Sequence, residues 1–345
     1  MKAAILFKPN EPLQVLDCEL DPPKAQEVRV KMKAAGVCQS DWHVMNGDWP
    51  SPMPIVPGHE AAGEIVEVGA GVTTVKPGDH VIFSFRPHCG RCRYCTQGRT
   101  VLCIGRAASP PGALYDGTLR IKHKGQGINQ MARIGTFAEE VVVPEEMVVP
   151  VRKDMPWPQA ALVGCCVATG VGAVTRHAKI EAGSTVLVIG CGGVGLNAVQ
   201  GAMISGAGKI IAADVRDNKL EMARAFGATH TINSRETDAV KAIQDLTEGN
   251  GADVVIDAVG RPETYEQAFY ARDLAGTVVL VGVPTPDMRI DMPLIEFFGR
   301  GGALKSLKRL REAEAQFDKA LALTAQMRSP LLRSLVLGNI AETRL

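Results

Sequence analysis

Hydrophobic and polar positions change rhythm once along this chain. Up to about residue 150, short β-type runs at 28–32, 64–68, 80–83 and 141–143 are separated by proline- and glycine-bearing turns such as Pro77-Gly78-Asp79. Brief extended runs closed by turn signals predict an antiparallel, barrel-like β domain. From about Ala160 the apolar runs VLVIG, IIAAD, VVIDAV and TVVLVGV alternate with stretches of helical periodicity. That alternation predicts βαβ units on a parallel sheet, hence an α/β class for the second half. No internal repeat and no low-complexity segment interrupts the pattern.

Composition narrows the picture. With 345 residues, 46% of them hydrophobic and 22% charged, the chain has enough apolar material for a large core and divides most naturally into two domains. A net charge of +1 gives no global attraction to nucleic acid or anionic lipid, so neither is expected as a partner. Unbroken apolar runs such as VVLVGV at 278–283 are too short to span a bilayer, and no membrane association is expected. The opening MKAAILFKPN lacks a charged stretch followed by an apolar core and cleavage site. A cytoplasmic, reducing setting is therefore expected.

That setting decides how the cysteines are read. Cys89, Cys92, Cys95 and Cys103 follow one another at spacings of three, three and eight. Four thiolates from one loop converge on a single ion, and a closed sulfur tetrahedron is what structural zinc prefers. Disulfides are the competing reading, and they are rare in a reducing compartment.

The second half carries a phosphate-binding signature. The strand pattern at 185–189 runs into GCGGVG, with Gly190, Gly192 and Gly195 at the fingerprint positions, Gly193 and Val194 between them, and a helix pattern after. Such a turn brings backbone amides to a pyrophosphate at the positive end of a helix. Asp214 closes a second strand nineteen residues after Gly195, where an acid binds the adenosine ribose hydroxyls. A carboxylate there repels a 2′-phosphate, so NAD is expected rather than NADP.

Three further clusters bear reactive residues: GVCQSDWH with Cys38, Ser40, Asp41 and His43; GHE with His59 and Glu60; and GCC with Cys165 and Cys166. Singly each is weak, because a lone cysteine is commonly a small buried hydrophobe. Together, with GHEAAGEIVEVG, the four-cysteine lobe, GCCVATG and GCGGVG in order over roughly residues 1–305, they make the chain resemble the zinc-dependent medium-chain alcohol dehydrogenases. The resemblance implies a β-rich, GroES-like catalytic domain at 1–160 with the zinc lobe at 89–103. It implies a Rossmann doubly wound parallel sheet binding NAD at 161–303. A segment at 304–345 would return to the catalytic domain.

The resemblance also assigns roles. Cys38, His59 and Cys165 would hold a catalytic zinc with one position open for an alcohol, Cys166 being the rival ligand; with the lobe, that makes two Zn2+ per chain. Ser40 would start a proton relay that runs through the cofactor ribose to His43. Asp41 would orient the imidazole of His59, and Glu60 would stand behind the metal and assist ligand exchange. Lys219 would lie near the adenosine ribose, and Thr169 and Val283 near the nicotinamide. Trp49, Phe85 and Met131, with Val283, would make an apolar alcohol pocket. Gln39 departs from the arginine or histidine that many relatives place against the pyrophosphate, which weakens that contact.

The implied activity is reversible oxidation of a small alcohol to an aldehyde or ketone. Arg106 lies one position early for the arginine of relatives that oxidise the glutathione adduct of formaldehyde, which keeps S-(hydroxymethyl)glutathione or another thiol adduct as an alternative. After Ser306 the pattern departs: LKRLREAEAQFDKALALTAQM reads as a charged amphipathic helix, and the family's closing strand is hard to find before Leu345. A truncated or altered reading frame and a lineage-specific ending both fit, and a zinc- and NAD-binding protein with little turnover is the reading of another class. By the same resemblance, a homodimer or homotetramer would form through the edge strand at 278–283.

Overall fold

The computed structural model describes residues 1–106, 110–293 and 296. The expectations about 304–345 fall outside the described residues.

The first domain is built on a five-stranded antiparallel sheet in the order Glu140–Pro144, Glu27–Ala35, Ala61–Val68, His80–Phe83, Val148–Pro150. Alternation explains its two faces. Val28 and Val30 are buried with Ile65, Val81, Phe83, Val141 and Val143, while Arg29 between them points outward to ion-pair with Glu140 at 2.5 Å. A four-stranded sheet, Glu19–Leu20, Ile121–His123, Gln126–Gln130 and Ile55–Val56, and the hairpin of Lys2–Ile5 with Gln14–Asp17 complete the β domain. One pairing in the main sheet positions reactive residues. Ala35 lies opposite Ala61, and just beyond that pair Gly36 N–H donates to the Glu60 carbonyl at 2.9 Å. The segments leading to Cys38 and from His59 are thereby held side by side.

The second domain is a five-stranded, wholly parallel sheet in the order His230–Asn233, Lys209–Asp214, Thr185–Ile189, Ala252–Asp257, Arg272–Leu280. Strand order reverses at Thr185–Ile189, which makes the carboxyl end of that strand the place where a ligand binds in such sheets. Both faces are covered by helices, so these strands are apolar throughout. Val186, Val188, Ile210 and Ala212 pack under Leu196 and Val199 on one side, and Leu187, Ile189 and Ile211 pack with Ile243 and Ala268 on the other.

Residues Trp157–Ala178 form one continuous helical rod between the domains, with mean hydropathy 1.4 over its most apolar window, long and apolar enough to cross a membrane. The expectation from unbroken apolar runs does not single out this segment. Gln159, Thr169 and several glycines break the unbroken runs without lowering the average much. The apolar faces are spent inside the fold: Ala160 and Ala161 pack with Ala62 and Ile82 of the β domain, and Ala173 and Val174 join the core of the parallel sheet. Two glycines let the rod press on both neighbours. A Cβ at Gly164 would lie 2.2 Å from the Phe83 carbonyl oxygen, and one at Gly170 would lie 2.3 Å from that of Val194. Residues Val163–Val167, Gly164 among them, adopt a π turn, a local widening that recurs at functional sites and here carries Cys165.

Candidate active site and metal centres

Cys38 caps the helix Gln39–Asn46, His59 and Glu60 precede the strand Ala61–Val68, and Cys165 enters from the interdomain rod. One ligand atom from each of Cys38, His59, Glu60 and Cys165 lies within 4.8 Å of the others. Cys166, one residue on, turns elsewhere: its thiol contacts the Leu162 carbonyl at 3.5 Å. Asp41, wholly buried, organises the group. Its Oδ2 accepts from the Cys38 backbone N–H at 2.8 Å, and its Oδ1 accepts from the Gly58 N–H at 3.2 Å and meets His59 Nδ1 at 2.9 Å. A carboxylate at Nδ1 puts the ring proton there and leaves Nε2 as the ligand atom. Nε2 stands 4.0 Å from a Glu60 carboxylate oxygen.

Electrostatics single out the same cluster. A hydrogen bond from Cys165 draws the Cys38 thiol down to about 3 against the effect of burial, and Cys165 is correspondingly pushed up. Burial works against charge on His59, yet hydrogen bonds to Asp41 and Cys38 outweigh it and lift the imidazole to about 10. Burial, with the Cys38 thiolate beside it, raises Glu60 to about 7. Two thiols, one oriented imidazole and an adjacent carboxylate make a soft, partly open donor set that suits Zn2+, which would take the place of the protons.

In the lobe, Cys89, Cys92, Cys95 and Cys103 also lie within 4.8 Å of one another. Cys92 Sγ is 3.5 Å from Cys95 Sγ and 3.9 Å from Cys103 Sγ. Backbone N–H groups of Cys95, Ile104 and Gly105 draw the Cys92 thiol down to about 5, while burial pushes Cys95 up to about 11. Among the described residues no other His, Cys, Asp or Glu joins the four sulfurs, which makes a closed site of the structural kind.

The GCGGVG turn joins Thr185–Ile189 to the helix Gly193–Ile204. A Cβ at Gly195 would fall 1.7 Å from the Gly190 carbonyl oxygen, whereas one at Gly192 meets nothing within 4 Å. Gly195 is therefore needed by the fold, whereas Gly192 leaves one side of the turn open. Asp214 ends the next strand, its Oδ2 accepting from Cys191 N–H at 2.8 Å and its Oδ1 from Arg216 N–H at 3.0 Å. Lys219 lies on the following helix, Asp217–Ala225. Thr169 sits on the rod one residue before Gly170, the residue that abuts Val194. Val283, 52% exposed, follows the strand Arg272–Leu280, where Gly282 packs against Gly260.

Around the metal cluster, Phe85 meets the His59 ring edge-on at 5.3 Å. Trp49 and Met131 pack in one apolar cluster with Leu6, Val44 and Ile55. Ser40 and His43 share the helix Gln39–Asn46, and His43 is buried with Nδ1 2.8 Å from Asp48.

Two family models match the chain: an alcohol dehydrogenase GroES-like domain over residues 24–153 and a zinc-binding dehydrogenase over residues 193–326. The chain belongs to the zinc-binding alcohol dehydrogenase family. It is 43% identical over 286 residues to the Mycobacterium tuberculosis protein named "Putative alcohol dehydrogenase D", covering 82% of this chain and 77% of that one. A solved alcohol dehydrogenase zinc-binding domain protein from Burkholderia ambifaria superposes with a TM-score of 0.81 at 32% identity, covering 86% of this chain and 80% of its own. Benzyl alcohol dehydrogenase from Acinetobacter calcoaceticus superposes with a TM-score of 0.80 at 30% identity, covering 91% and 89%. A protein from Sinorhizobium meliloti 1021 named "putative zinc-binding dehydrogenase", bound to NADP, reaches a TM-score of 0.70 at 28% identity, covering 87% of this chain and 81% of its own. The zinc-binding family match extends to residue 326, past Ser306, where the sequence pattern departs.

In this member of the family Arg106 is already committed. It forms a two-pronged ion pair with Glu146, at 2.7 and 3.0 Å, and its guanidinium lies 3.9 Å from the centre of the Tyr115 ring. Sequence reading missed that partner, forty residues away, and also Asp48. The signal for Asp48 was present in Gly47, whose left-handed conformation (φ 80°) ends the helix and turns the chain back on itself.

Proposed function

We propose that this protein catalyses reversible oxidation of an uncharged alcohol to an aldehyde or ketone, with NAD as hydride acceptor and two Zn2+ per chain. The observation that carries the reading is the single rod Trp157–Ala178, which delivers Cys165 to the Cys38–His59 cluster and, five residues later, abuts the phosphate-binding turn through Gly170. A metal cluster and a dinucleotide turn tied by one rigid element are what hydride transfer beside a Lewis acid requires.

Cys38, His59 and Cys165 would hold a zinc ion, which when bound would supply Lewis acidity toward an alcohol hydroxyl, and bound NAD would supply the hydride acceptor. The chain's own residues do the rest. Asp41 fixes the His59 ring, Glu60 offers an alternative donor, and Ser40 and His43 hand the alcohol proton outward to water. Asp214, Lys219 and the amides at Gly192, Gly193 and Val194 receive the dinucleotide. The Asp214 carboxylate favours NAD by charge repulsion of a 2′-phosphate, although a structural neighbour at 28% identity binds NADP. Trp49, Phe85 and Met131 favour an uncharged, apolar substrate, in keeping with a benzyl alcohol dehydrogenase among the structural neighbours. Arg106, spent on Glu146, offers no free charge to a thiol-adduct carboxylate. Assembly would run through the edge strand Arg272–Leu280, in a cytoplasmic setting.

The test is a screen of the purified, zinc-loaded protein with NAD and NADP against alcohols of graded size, and against formaldehyde with different thiols. The expected result is NAD reduction by uncharged alcohols with about two zinc per chain. Two zinc with dinucleotide binding and no turnover on any alcohol would instead identify a binding protein.

A further inference from the structure

The mechanism uses His43 but leaves unexplained why its imidazole is held from two sides. The helix Gln39–Asn46 ends at Gly47, whose N–H donates to the Val44 carbonyl at 3.2 Å. The chain then doubles back, so that Asp48 Oδ2 lies 2.8 Å from His43 Nδ1 and Trp49 N–H donates to the His43 carbonyl at 3.2 Å. The Trp49 ring stacks on the imidazole at 4.9 Å between centroids, 21° from parallel. Trp49 is itself packed against the apolar cluster of Leu6, Val44, Ile55 and Met131. His43 is 8% exposed, while the Asp48 side chain keeps 35% of its surface in solvent.

We propose that Asp48 is a positioning residue for proton release: it fixes the tautomer of His43 so that Nε2, not Nδ1, receives the proton and passes it to water. An ionised carboxylate at 2.8 Å has only lone pairs to offer, so the neutral ring must carry its hydrogen on Nδ1. The lone pair then sits on Nε2. Accepting a proton there makes an imidazolium stabilised by the same carboxylate, and loss of that proton to water restores the starting tautomer, so the step balances without any other acid. Trp49 stops the ring from rotating out of this arrangement. The inference rests on the proposed dehydrogenase activity and adds to it a residue that touches neither substrate nor zinc.

Asp48→Asn tests it. An amide of the same shape can turn its NH2 toward Nδ1, which moves the ring proton to Nε2 and blocks acceptance there; the same substitution beneath a catalytic histidine in a serine protease lowers kcat by about 10⁴. The loss here is expected to be about tenfold or more, less than the full effect of a general base, because Asp48 acts only through His43. Zinc-loaded, NAD-bound protein carrying 15N-labelled histidine is compared as wild type, Asp48→Asn and Asp48→Glu, with His43→Gln to assign the resonance.

The expected result is a Nδ1–H ring in wild type, a Nε2–H ring and lowered kcat in Asp48→Asn, and partial recovery of both in Asp48→Glu. Zinc content should not change, and the NAD Kd should stay within about twofold. An unchanged tautomer with unchanged kcat in Asp48→Asn overturns the proposal. Should that variant not fold, Asp48→Ser carries the same comparison. If His43→Gln turns over at the wild-type rate, the role of His43 in the proposed activity fails; if His43→Gln is slow and Asp48→Asn is not, only the role of Asp48 fails.

Discussion

Replacing Asp41 by Asn should loosen the zinc of the active site and leave the zinc of the lobe untouched. Asp41 is wholly buried and accepts from Cys38 N–H and Gly58 N–H while pairing with His59 Nδ1. Asn has one acceptor oxygen for three donors, and its amide NH2 must point at one of them. At least one charge-assisted hydrogen bond is lost, worth about 1.5–3 kcal/mol, and a buried donor is stranded. Removing such a ligand-orienting partner typically costs about 10–100-fold in metal affinity, or about 1.4–2.8 kcal/mol, so the two scales agree.

One effect opposes this loss. Asp41 helps hold the His59 imidazole at about 10, and without it less proton must be displaced by the metal. The net change should therefore lie near the tenfold end. The assay is zinc release to a chromogenic chelator, in which the lobe ion is an internal control because Asp41 hydrogen-bonds to Cys38 and His59, which belong to the other cluster. Two release phases with only one of them accelerated is the expected result. Wild-type release of both ions from Asp41→Asn would refute the argument that this carboxylate orients the ligands.

The phosphate-binding turn offers a paired test. Gly195→Ala drives a methyl to 1.7 Å from the Gly190 carbonyl oxygen and should lower both melting temperature and NAD affinity, whereas Gly192→Ala meets open space and should lower affinity alone; equal melting temperatures for the two variants would contradict this. Arg120 is 1% exposed and ion-paired with Glu27 at 2.5 Å and Asp116 at 3.0 Å. Arg120→Met strands the buried Glu27 carboxylate and should cost about 3–5 kcal/mol in urea unfolding, with much of it recovered when Glu27→Gln is added. Burial opposes ionisation of Asp116, but hydrogen bonds from Lys24, Thr118 and Arg120 outweigh it and hold its carboxyl well below the usual range. Its contribution is thus complete above the unfolded carboxylate value near about 3.9 and is lost as pH falls below that, so Asp116→Asn should flatten the acid limb of melting temperature against pH; an unchanged limb would count against it.

What the sequence could and could not disclose depends on the range of each interaction. The change of hydrophobic period near residue 150 marked the two architectures, because burial on one face or on both is written into every few residues of a strand. The lobe and the GCGGVG turn were legible for the same reason: their ligating groups lie on one local segment. Cys38, His59 and Cys165 are different. Periodicity says nothing of the Ala35–Ala61 pairing that aligns the first two, nor of the close approach at Gly164 that brings the third, and family likeness alone joined them. Where likeness offered only a position, as for Arg106, it left the side chain's partner open, and Glu146 had taken it. Asp48 lies five residues from His43, yet its carboxylate reaches the ring only because Gly47 reverses the chain, a backbone event with no period to reveal it. A residue that acts by holding another is thus the hardest kind to read from a string of letters, and the close contacts around His43 and His59 are where coordinates add most.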